Sequence, residues 1–236
     1  MNDSLVIIPT YNEKENIEKI IRKVISMDEK FDILVVDDGS PDGTGNIVKT
    51  LQEEFSELNI LERTEKNGLG SAYIAGFKWA LEKGYKYIFE MDADFSHDPE
   101  DLKRLRQACK DGADMSIGSR YVKGGSISNW PLIRLMISYF GSMYARSVLW
   151  MGIKDTTAGF KCYTNKVLSA ISLDKVKFVG YAFQIEMKYR AYKKGFKIVE
   201  VPITFKDRTE GRSKMGAGIM KEGFLGVLKL RISNLG

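Results

Sequence analysis

The sequence predicts an α/β protein, a three-layer sandwich on a mostly parallel central sheet. Three observations carry that prediction. Short apolar runs rich in Val and Ile alternate with amphipathic stretches at helical spacing. The runs end in turn residues and acids rather than in tight two-residue hairpins. At 236 residues, 44% hydrophobic and 28% charged, the chain is long enough for one sizeable core.

In chain order, Leu5-Val6-Ile7-Ile8 is a first strand, closed by Pro9. A helix follows from about Glu13, with Ile17, Ile20, Ile21, Val24 and Ile25 on one face. Ile33-Leu34-Val35-Val36 is a second strand ending in Asp37-Asp38-Gly39, followed by turn residues and a helix with Ile47, Val48, Leu51 and Phe55 inward. Asn59-Ile60-Leu61 is a third strand, and a helix over about Leu69 to Lys83 leads to a fourth, Tyr87-Ile88-Phe89. Asp98 is placed to cap a helix beginning at Pro99 and running to about Lys110. Met115-Ser116-Ile117-Gly118 follows as a strand. Asp155 to Lys161 and Lys197 to Val201 read as further strands, with a helix from about Tyr181 to Lys194 between them. An amphipathic helix over about Ile219 to Leu230 ends the chain. The stretch Trp130 to Trp150 is rich in large apolar and aromatic groups, interrupted by Arg134 and Arg146. It is either a pair of core helices or a helix lying at a membrane interface.

The fourth strand leads into Glu90-Met91-Asp92-Ala93-Asp94, two carboxylates one residue apart. In open α/β sheets ligands bind just outside the carboxyl ends of the strands. Asp92 and Asp94 there are either solvated turn residues or a hard-oxygen site for Mg²⁺ or Mn²⁺. Several classes are excluded. Pro9-Thr10-Tyr11-Asn12 stands where dinucleotide glycines belong, Gly68-Leu69-Gly70 is followed by Tyr73 in place of a third glycine, and no Gly-Lys-Ser/Thr phosphate loop occurs. Cys109 and Cys162 lack metal-type spacing and suggest buried thiols in a reducing compartment. Neither a secretory leader nor an apolar run of ~18 residues is present, so an exported or membrane-spanning chain is not expected.

The net charge of +5 divides unevenly. Residues 1–100 hold 11 Lys/Arg against 21 Asp/Glu, whereas residues 101–236 hold 25 against 10. The basic half points to an anionic partner, a phosphate group or a membrane surface. No nucleic-acid-binding motif accompanies it, so nucleic acid is not an expected partner.

Read together, Ile8-Pro9-Thr10-Tyr11-Asn12-Glu13, Val36-Asp37-Asp38-Gly39-Ser40-Pro41-Asp42-Gly43-Thr44, Asn67-Gly68-Leu69-Gly70 and Asp92-Ala93-Asp94 resemble the inverting glycosyltransferases of family two, which have a Rossmann-like GT-A fold. Gly118-Ser119-Arg120-Tyr121, Asp155 to Lys161, and Phe205-Lys206-Asp207-Arg208 with Gly211-Arg212-Ser213-Lys214 resemble the dolichyl- and polyprenyl-phosphate mannosyltransferases among them. The resemblance covers nearly the whole chain and matches the catalytic-subunit type without transmembrane helices.

It implies a single GT-A domain over residues 1–236, with 126–151 and 216–236 as amphipathic elements near the membrane and acceptor. It implies inverting transfer of mannose from GDP-mannose to dolichyl or polyprenyl phosphate, on the cytoplasmic face of a membrane, with Mg²⁺ or Mn²⁺ as cofactor. A small membrane-anchoring subunit is an open partner. The residues implied for the nucleotide sugar are Pro9, Tyr11, Glu13, Val36, Asp38, Asp92, Ala93, Asp94, Arg208 and Lys214. Arg120, Arg134 and Ser138 are implied for the acceptor phosphate, and Asp94, Arg120 and Arg134 for catalysis. Asp92 and Asp94 would hold the metal, with Ser96, where some relatives have Gln, as a weaker third ligand. The segment Arg208 to Lys214 is expected to fold over the donor. His97, the only histidine, is expected to make a structural hydrogen bond rather than act as a base. Gln184 and Glu186 lie near where other inverting relatives place a carboxylate and are assigned no role. The alternatives are a family-two enzyme with UDP-glucose or another donor and acceptor, and a non-catalytic nucleotide-binding subunit.

Overall fold

The computed structural model describes residues 2–180, 182–207 and 217–233. The first strand, β1 (Ser4–Thr10), is followed by α1 (Ile17–Ile25), β2 (Asp32–Asp37), α2 (Thr44–Glu54), β3 (Leu58–Glu62), α3 (Leu69–Glu82) and β4 (Tyr87–Glu90). Then come α4 (Asp101–Lys110), β5 (Met115–Ser119), β6 (Ser126–Ser128), α5 (Leu132–Leu149), β7 (Lys161–Thr164) and α6 (Asn165–Ala170). The last elements are α7 (Ala182–Lys193), β8 (Ile198–Pro202), β9 (Thr204–Lys206) and α8 (Ala217–Ile232).

Seven strands form one sheet in the order β3-β2-β1-β4-β7-β5-β8. Only β7 runs antiparallel to its neighbours, so the expected mostly parallel sheet is present. The apolar runs of β1 and β2 feed both faces. Leu5, Ile7, Leu34 and Val36 enter a core beneath α3, α5 and α7, while Val6, Ile8, Ile33 and Val35 enter a second core beneath α1, α2 and α4. Alternate residues of a strand point to opposite faces, so a run apolar at every position requires cover on both sides. That gives the three layers.

Several boundaries differ from the sequence reading. Pro9 does not close β1; it pairs with Val36 in register. Neighbour β4 has already ended opposite Ile7, so the missing N–H of Pro9 costs no ladder bond on that side. The expected cap at Asp98 belongs to a single turn rather than to α4. Asp98 accepts the Glu100 N–H at 3.0 Å, and α4 starts at Asp101. Within the stretch Trp130 to Trp150, Leu132–Leu149 form one continuous helix, α5, not a pair. Its face toward solvent carries Leu132, Ile133, Met136, Ile137, Tyr139, Phe140 and Met143.

The expected strand over Asp155 to Lys161 is the largest correction. Residues 155–160 form an irregular loop, and the strand begins only at Lys161. The loop's polar side chains Asp155, Thr156 and Thr157 turn inward and are buried. Strand pairing would use their backbone groups but leave those side chains without the partners described below.

A two-stranded parallel pair, β6 with β9, stands apart from the main sheet. Among the described residues, no helix is long and apolar enough to cross a membrane.

Candidate active site

The carboxyl ends of β2, β1 and β4 lie side by side. This brings the residues after three separate strands into one row. After β4, the chain passes Met91, whose N–H bonds to the Ile7 carbonyl at 3.2 Å, and enters the acidic turn. Phe95 adopts a left-handed conformation (φ 58°), which reverses the chain behind Asp94. The Ser96 N–H donates to Asp94 Oδ1 at 3.0 Å and fixes that carboxylate. Asp94, Ala93 and Ser96 are buried, whereas the Asp92 side chain is 38% exposed.

The turn rests on a polar substructure that the sequence did not reveal. Glu90 is fully buried at the end of β4. Its Oε1 is 2.9 Å from Lys161 Nζ and accepts the Tyr163 hydroxyl at 2.7 Å; its Oε2 accepts Gln184 Nε2 at 2.8 Å. Lys161 also donates to Gln184 Oε1. A buried carboxylate survives only with such partners. Together they tie β4, β7 and α7 beneath the two aspartates. Tyr73, fully buried on α3, has a hydroxyl with no hydrogen-bond partner. Burial first, then the charges of Asp92, Glu90 and Asp94, push its pKa well above the ordinary tyrosine value.

His97 is packed face to face on Phe160, with ring centroids 4.8 Å apart, and meets the edge of Phe205 at 5.3 Å. Its Nδ1 accepts the Asp92 N–H at 3.4 Å. Burial pushes its pKa down to about 4, against the opposing pull of Asp94. The imidazole is neutral at pH 7 with Nδ1 occupied, consistent with the structural role expected for it.

At the end of β2 the two aspartates divide their work. Asp37 accepts the hydroxyls of Thr10 at 2.7 Å and Ser40 at 2.6 Å, and shapes the turn. Asp38 Oδ1 lies 3.3 Å from Arg63 Nη1, yet neither atom has a hydrogen-bond partner. Burial raises the Asp38 pKa and the Arg63 charge opposes it. Arg63, just beyond β3, was not singled out from the sequence. Its place in the row of strand ends is the signal that could have found it. Beside this pair, Lys66 Nζ sits 4.0 Å over the ring of Tyr11. The Glu13 N–H donates to Thr44 Oγ1 at 3.0 Å, stitching the loop after β1 to the one after β2. Pro9 is half-buried, while Val36 is fully enclosed in the core.

On the other side, Arg120 follows β5. Its Nε and Nη2 grip both oxygens of Asp155 at 2.7 Å, and its backbone N–H also donates to Asp155 at 3.0 Å. A further bond reaches Thr157 Oγ1 at 2.8 Å. Burial pulls the Asp155 carboxyl up, but the charge and hydrogen bonds of Arg120 outweigh it and hold the group below its ordinary value. The loop that carries Asp155 is pinned by Lys188, fully buried on α7, which donates to the carbonyls of Thr156 (3.0 Å), Ala158 (2.6 Å) and Gln184 (3.2 Å). Glu186 is also buried, pairs with Arg190 at 2.7 Å and accepts the N–H groups of Lys177 and Phe178 at 3.0 Å. Arg134 on α5 bonds to Asp207 at 2.8 Å and lies 4.0 Å over the ring of Trp130. Ser138 is buried and accepts the Tyr121 hydroxyl at 2.9 Å.

The two sides meet. The Lys206 N–H of β9 donates to the Ser96 carbonyl at 3.2 Å. A Cβ placed on Gly159 would stand 3.7 Å from His97 Cε1 and 4.0 Å from Asp92 Oδ2. The structure therefore gathers Asp92, Asp94, Ser96, Asp38 and Tyr11 on one flank and Arg120, Arg134 and Ser138 on the other. Arg208 and Lys214, with the segment between them, lie outside the described residues.

The chain is similar to several known proteins. Residues 5–174 match the model of glycosyl transferase family 2. The chain is 49% identical over 225 residues to a polyprenol monophosphomannose synthase of Mycolicibacterium smegmatis, covering 95% of this chain and 85% of that protein. It is 48% identical over 225 residues to an undecaprenyl-phosphate mannosyltransferase of Micrococcus luteus, covering 95% and 92%. It is 40% identical over 214 residues to a dolichol-phosphate mannosyltransferase of Pyrococcus furiosus, covering 89% of this chain and 58% of that one. Among solved structures, glucosyl-3-phosphoglycerate synthase from Mycobacterium tuberculosis, in complex with Mn²⁺, UDP-glucose and glycerol 3-phosphate, superposes with a TM-score of 0.71 at 16% identity, over 96% of this chain and 79% of that one. The fold is GT-A, and the chain is a glycosyltransferase that belongs to glycosyl transferase family 2.

Proposed function

We propose that this chain transfers mannose from GDP-mannose to a polyprenyl or dolichyl phosphate, with inversion at the anomeric carbon, at the cytoplasmic face of a membrane. The observation that carries the reading is the pairing of flanks. A two-carboxylate turn is joined, through the Lys206–Ser96 hydrogen bond and the His97–Phe205 contact, to two arginines set among aromatic rings, in a chain akin to enzymes named for lipid-phosphate mannosylation. The donor set of the turn suits Mg²⁺ or Mn²⁺. Asp92 and Asp94 are hard-oxygen donors, and the described residues hold no cluster of three or more metal-ligating side chains, so water and diphosphate oxygens would complete the shell. Ser96 would add at most a weak ligand. The ion's contribution, when bound, is to offset the charge of the leaving diphosphate.

The rest falls to the protein. Asp38 and Arg63, an ion pair at 3.3 Å with no hydrogen bond between them, stand at the strand ends where the nucleoside would bind. Pro9, Tyr11 and Glu13 line the nucleotide. The acceptor phosphate has a second pKa of about 6 and is anionic at neutral pH. It attacks without a general base, so the protein must supply position and positive charge. Arg134, tethered by one carboxylate and open to the apolar face of α5, receives that phosphate; Arg120 and Ser138 set the wall behind it.

The exposed apolar row of α5 continues onto α8, where Phe224, Leu225, Leu228 and Ile232 are exposed. Tyr144 stacks on Phe224 at 4.6 Å and joins the two helices. A contiguous apolar surface of this kind suits a lipid interface from which a polyprenyl chain is drawn.

Thermal shift with GDP and UDP, each with and without Mn²⁺, tests the donor. GDP with metal should raise the midpoint most, and a larger shift with UDP would refute the GDP-mannose assignment. Arg134→Ala should raise the KM for the lipid phosphate roughly ten-fold or more with little change for GDP-mannose. An equal loss for both substrates would remove Arg134 from the acceptor site.

A further inference from the structure

Trp130 lies between the tip of β6 and the start of α5, where both arginines of the basic flank converge. Arg134 stacks on its ring at 4.0 Å, and Arg120 approaches from the other element at 5.6 Å. Phe205 of β9 packs its edge against the same ring at 5.2 Å and also lies 5.5 Å from the Arg120 guanidinium. Two guanidinium groups repel each other, and an indole between them attracts both through its electron-rich face. The ring thus has a clear part in holding the arginines together. That part leaves its polar atom unused. Trp130 Nε1 is buried and has no hydrogen-bond partner. An indole N–H can only donate, and leaving a buried donor unmade is costly. Its neighbours Arg120 and Arg134 are donors as well, and Asp155 and Asp207 are already engaged by those arginines, so the missing partner is an acceptor from outside the protein, and a phosphate oxygen suits it.

We propose that the Trp130 indole N–H is a direct donor to the phosphate of the lipid acceptor, making Trp130 a phosphate-contacting residue alongside Arg134. The proposal rests on the acceptor reading given above and adds to it a neutral, directional contact. Arginines attract any anion within reach. A fixed N–H at the ring edge asks for an oxygen at one place.

The chain has three tryptophans, so a ¹H–¹⁵N spectrum of the intact protein contains three indole resonances. Trp130→Phe, which retains a ring face for Arg134 but lacks the N–H, assigns one of them. If that variant fails to fold, Trp79→Phe and Trp150→Phe assign it by elimination. Titration with farnesyl phosphate should move the Trp130 resonance downfield, and farnesol should leave it in place. In kinetics, Trp130→Phe should raise the KM for farnesyl phosphate roughly ten-fold, equivalent to about 1.4 kcal/mol, with the KM for GDP-mannose unchanged. Farnesyl phosphate that binds wild-type protein without moving the Trp130 resonance overturns the proposal and leaves the acceptor reading intact. So does farnesol moving it as far as the phosphate does. Farnesyl phosphate that fails to bind at all overturns both.

Discussion

The Arg120–Asp155 pair gives the sharpest test of how the basic flank is built. Both side chains are almost completely enclosed, at 6% and 0% exposure, and the carboxylate receives three N–H groups from one residue. Asp155→Asn removes the countercharge while keeping the shape. It leaves a buried guanidinium uncompensated, which costs about 3–5 kcal/mol. Against an m-value of about 3 kcal/mol/M, at the upper end for small proteins, the urea midpoint should fall by roughly 1–2 M. Arg120→Met should cost a similar amount by stranding the carboxylate. The double variant Arg120→Met with Asp155→Asn removes both charges and should lose far less than the sum of the two single losses, giving a coupling energy of several kcal/mol. The pH dependence follows from the same contact. The folded carboxyl lies below its ordinary 3.8, so its contribution is complete above that pH and disappears as pH falls through the folded value. Urea titrations of the four proteins at neutral pH measure the cycle. Additive losses, with the double variant the least stable, would refute the claim that the two side chains act as one buried unit.

Other perturbations have equally definite outcomes. Folded His97 titrates near 4 against 6.5 for the free side chain. In metal-free buffer, stability should therefore fall, by on the order of 1 kcal/mol per pH unit, as pH drops through that interval. His97→Phe should flatten that slope in urea midpoints measured across it; an unchanged slope contradicts the assignment. A Cβ on Gly70 would come within 2.7 Å of Phe183 Cδ2 and 2.8 Å of the Phe178 carbonyl. Gly70→Ala should cost about 1–3 kcal/mol by calorimetry, because neither neighbour can withdraw freely; a neutral result would show that the start of α3 can move away. Glu90→Gln should leave Lys161 buried without its countercharge and lower the thermal midpoint by several degrees, and no change would show the pair to be dispensable.

The legible part of the structure was the part set by periodicity. Runs such as Leu5 to Ile8 and Ile33 to Val36 are apolar at every position, and a sheet covered on both faces is the arrangement that satisfies them. The acidic turn was legible because a strand leads straight into Asp92 and Asp94. What escaped was set by contacts distant in sequence. Nothing in the sequence marks Lys161 and Lys188 for burial, and only the fold supplies the carboxylate, amide and carbonyl oxygens that allow them inside. The Asp155 loop read as a strand because its pattern of small and β-branched residues fits one. Its true conformation is dictated by Arg120, thirty-five residues upstream. The pairing of β6 with β9 joins segments of three residues each, too short to leave a pattern. Trp130 was grouped with the apolar stretch that follows it, although its place beside two arginines gives it a different part.

The central claim is that a metal held at the acidic turn and a lipid phosphate held by the arginines meet across one cleft. Formation of mannosyl phospholipid from GDP-mannose and a polyprenyl phosphate, followed by mass spectrometry, tests it most directly, with wild-type protein and Asp94→Asn compared in Mg²⁺ and in EDTA. The account predicts product from the wild type in Mg²⁺ alone, with Asp94→Asn inactive while its far-ultraviolet circular dichroism stays that of the folded protein. No product under any condition, or product undiminished by the chelator and by the substitution, would contradict it.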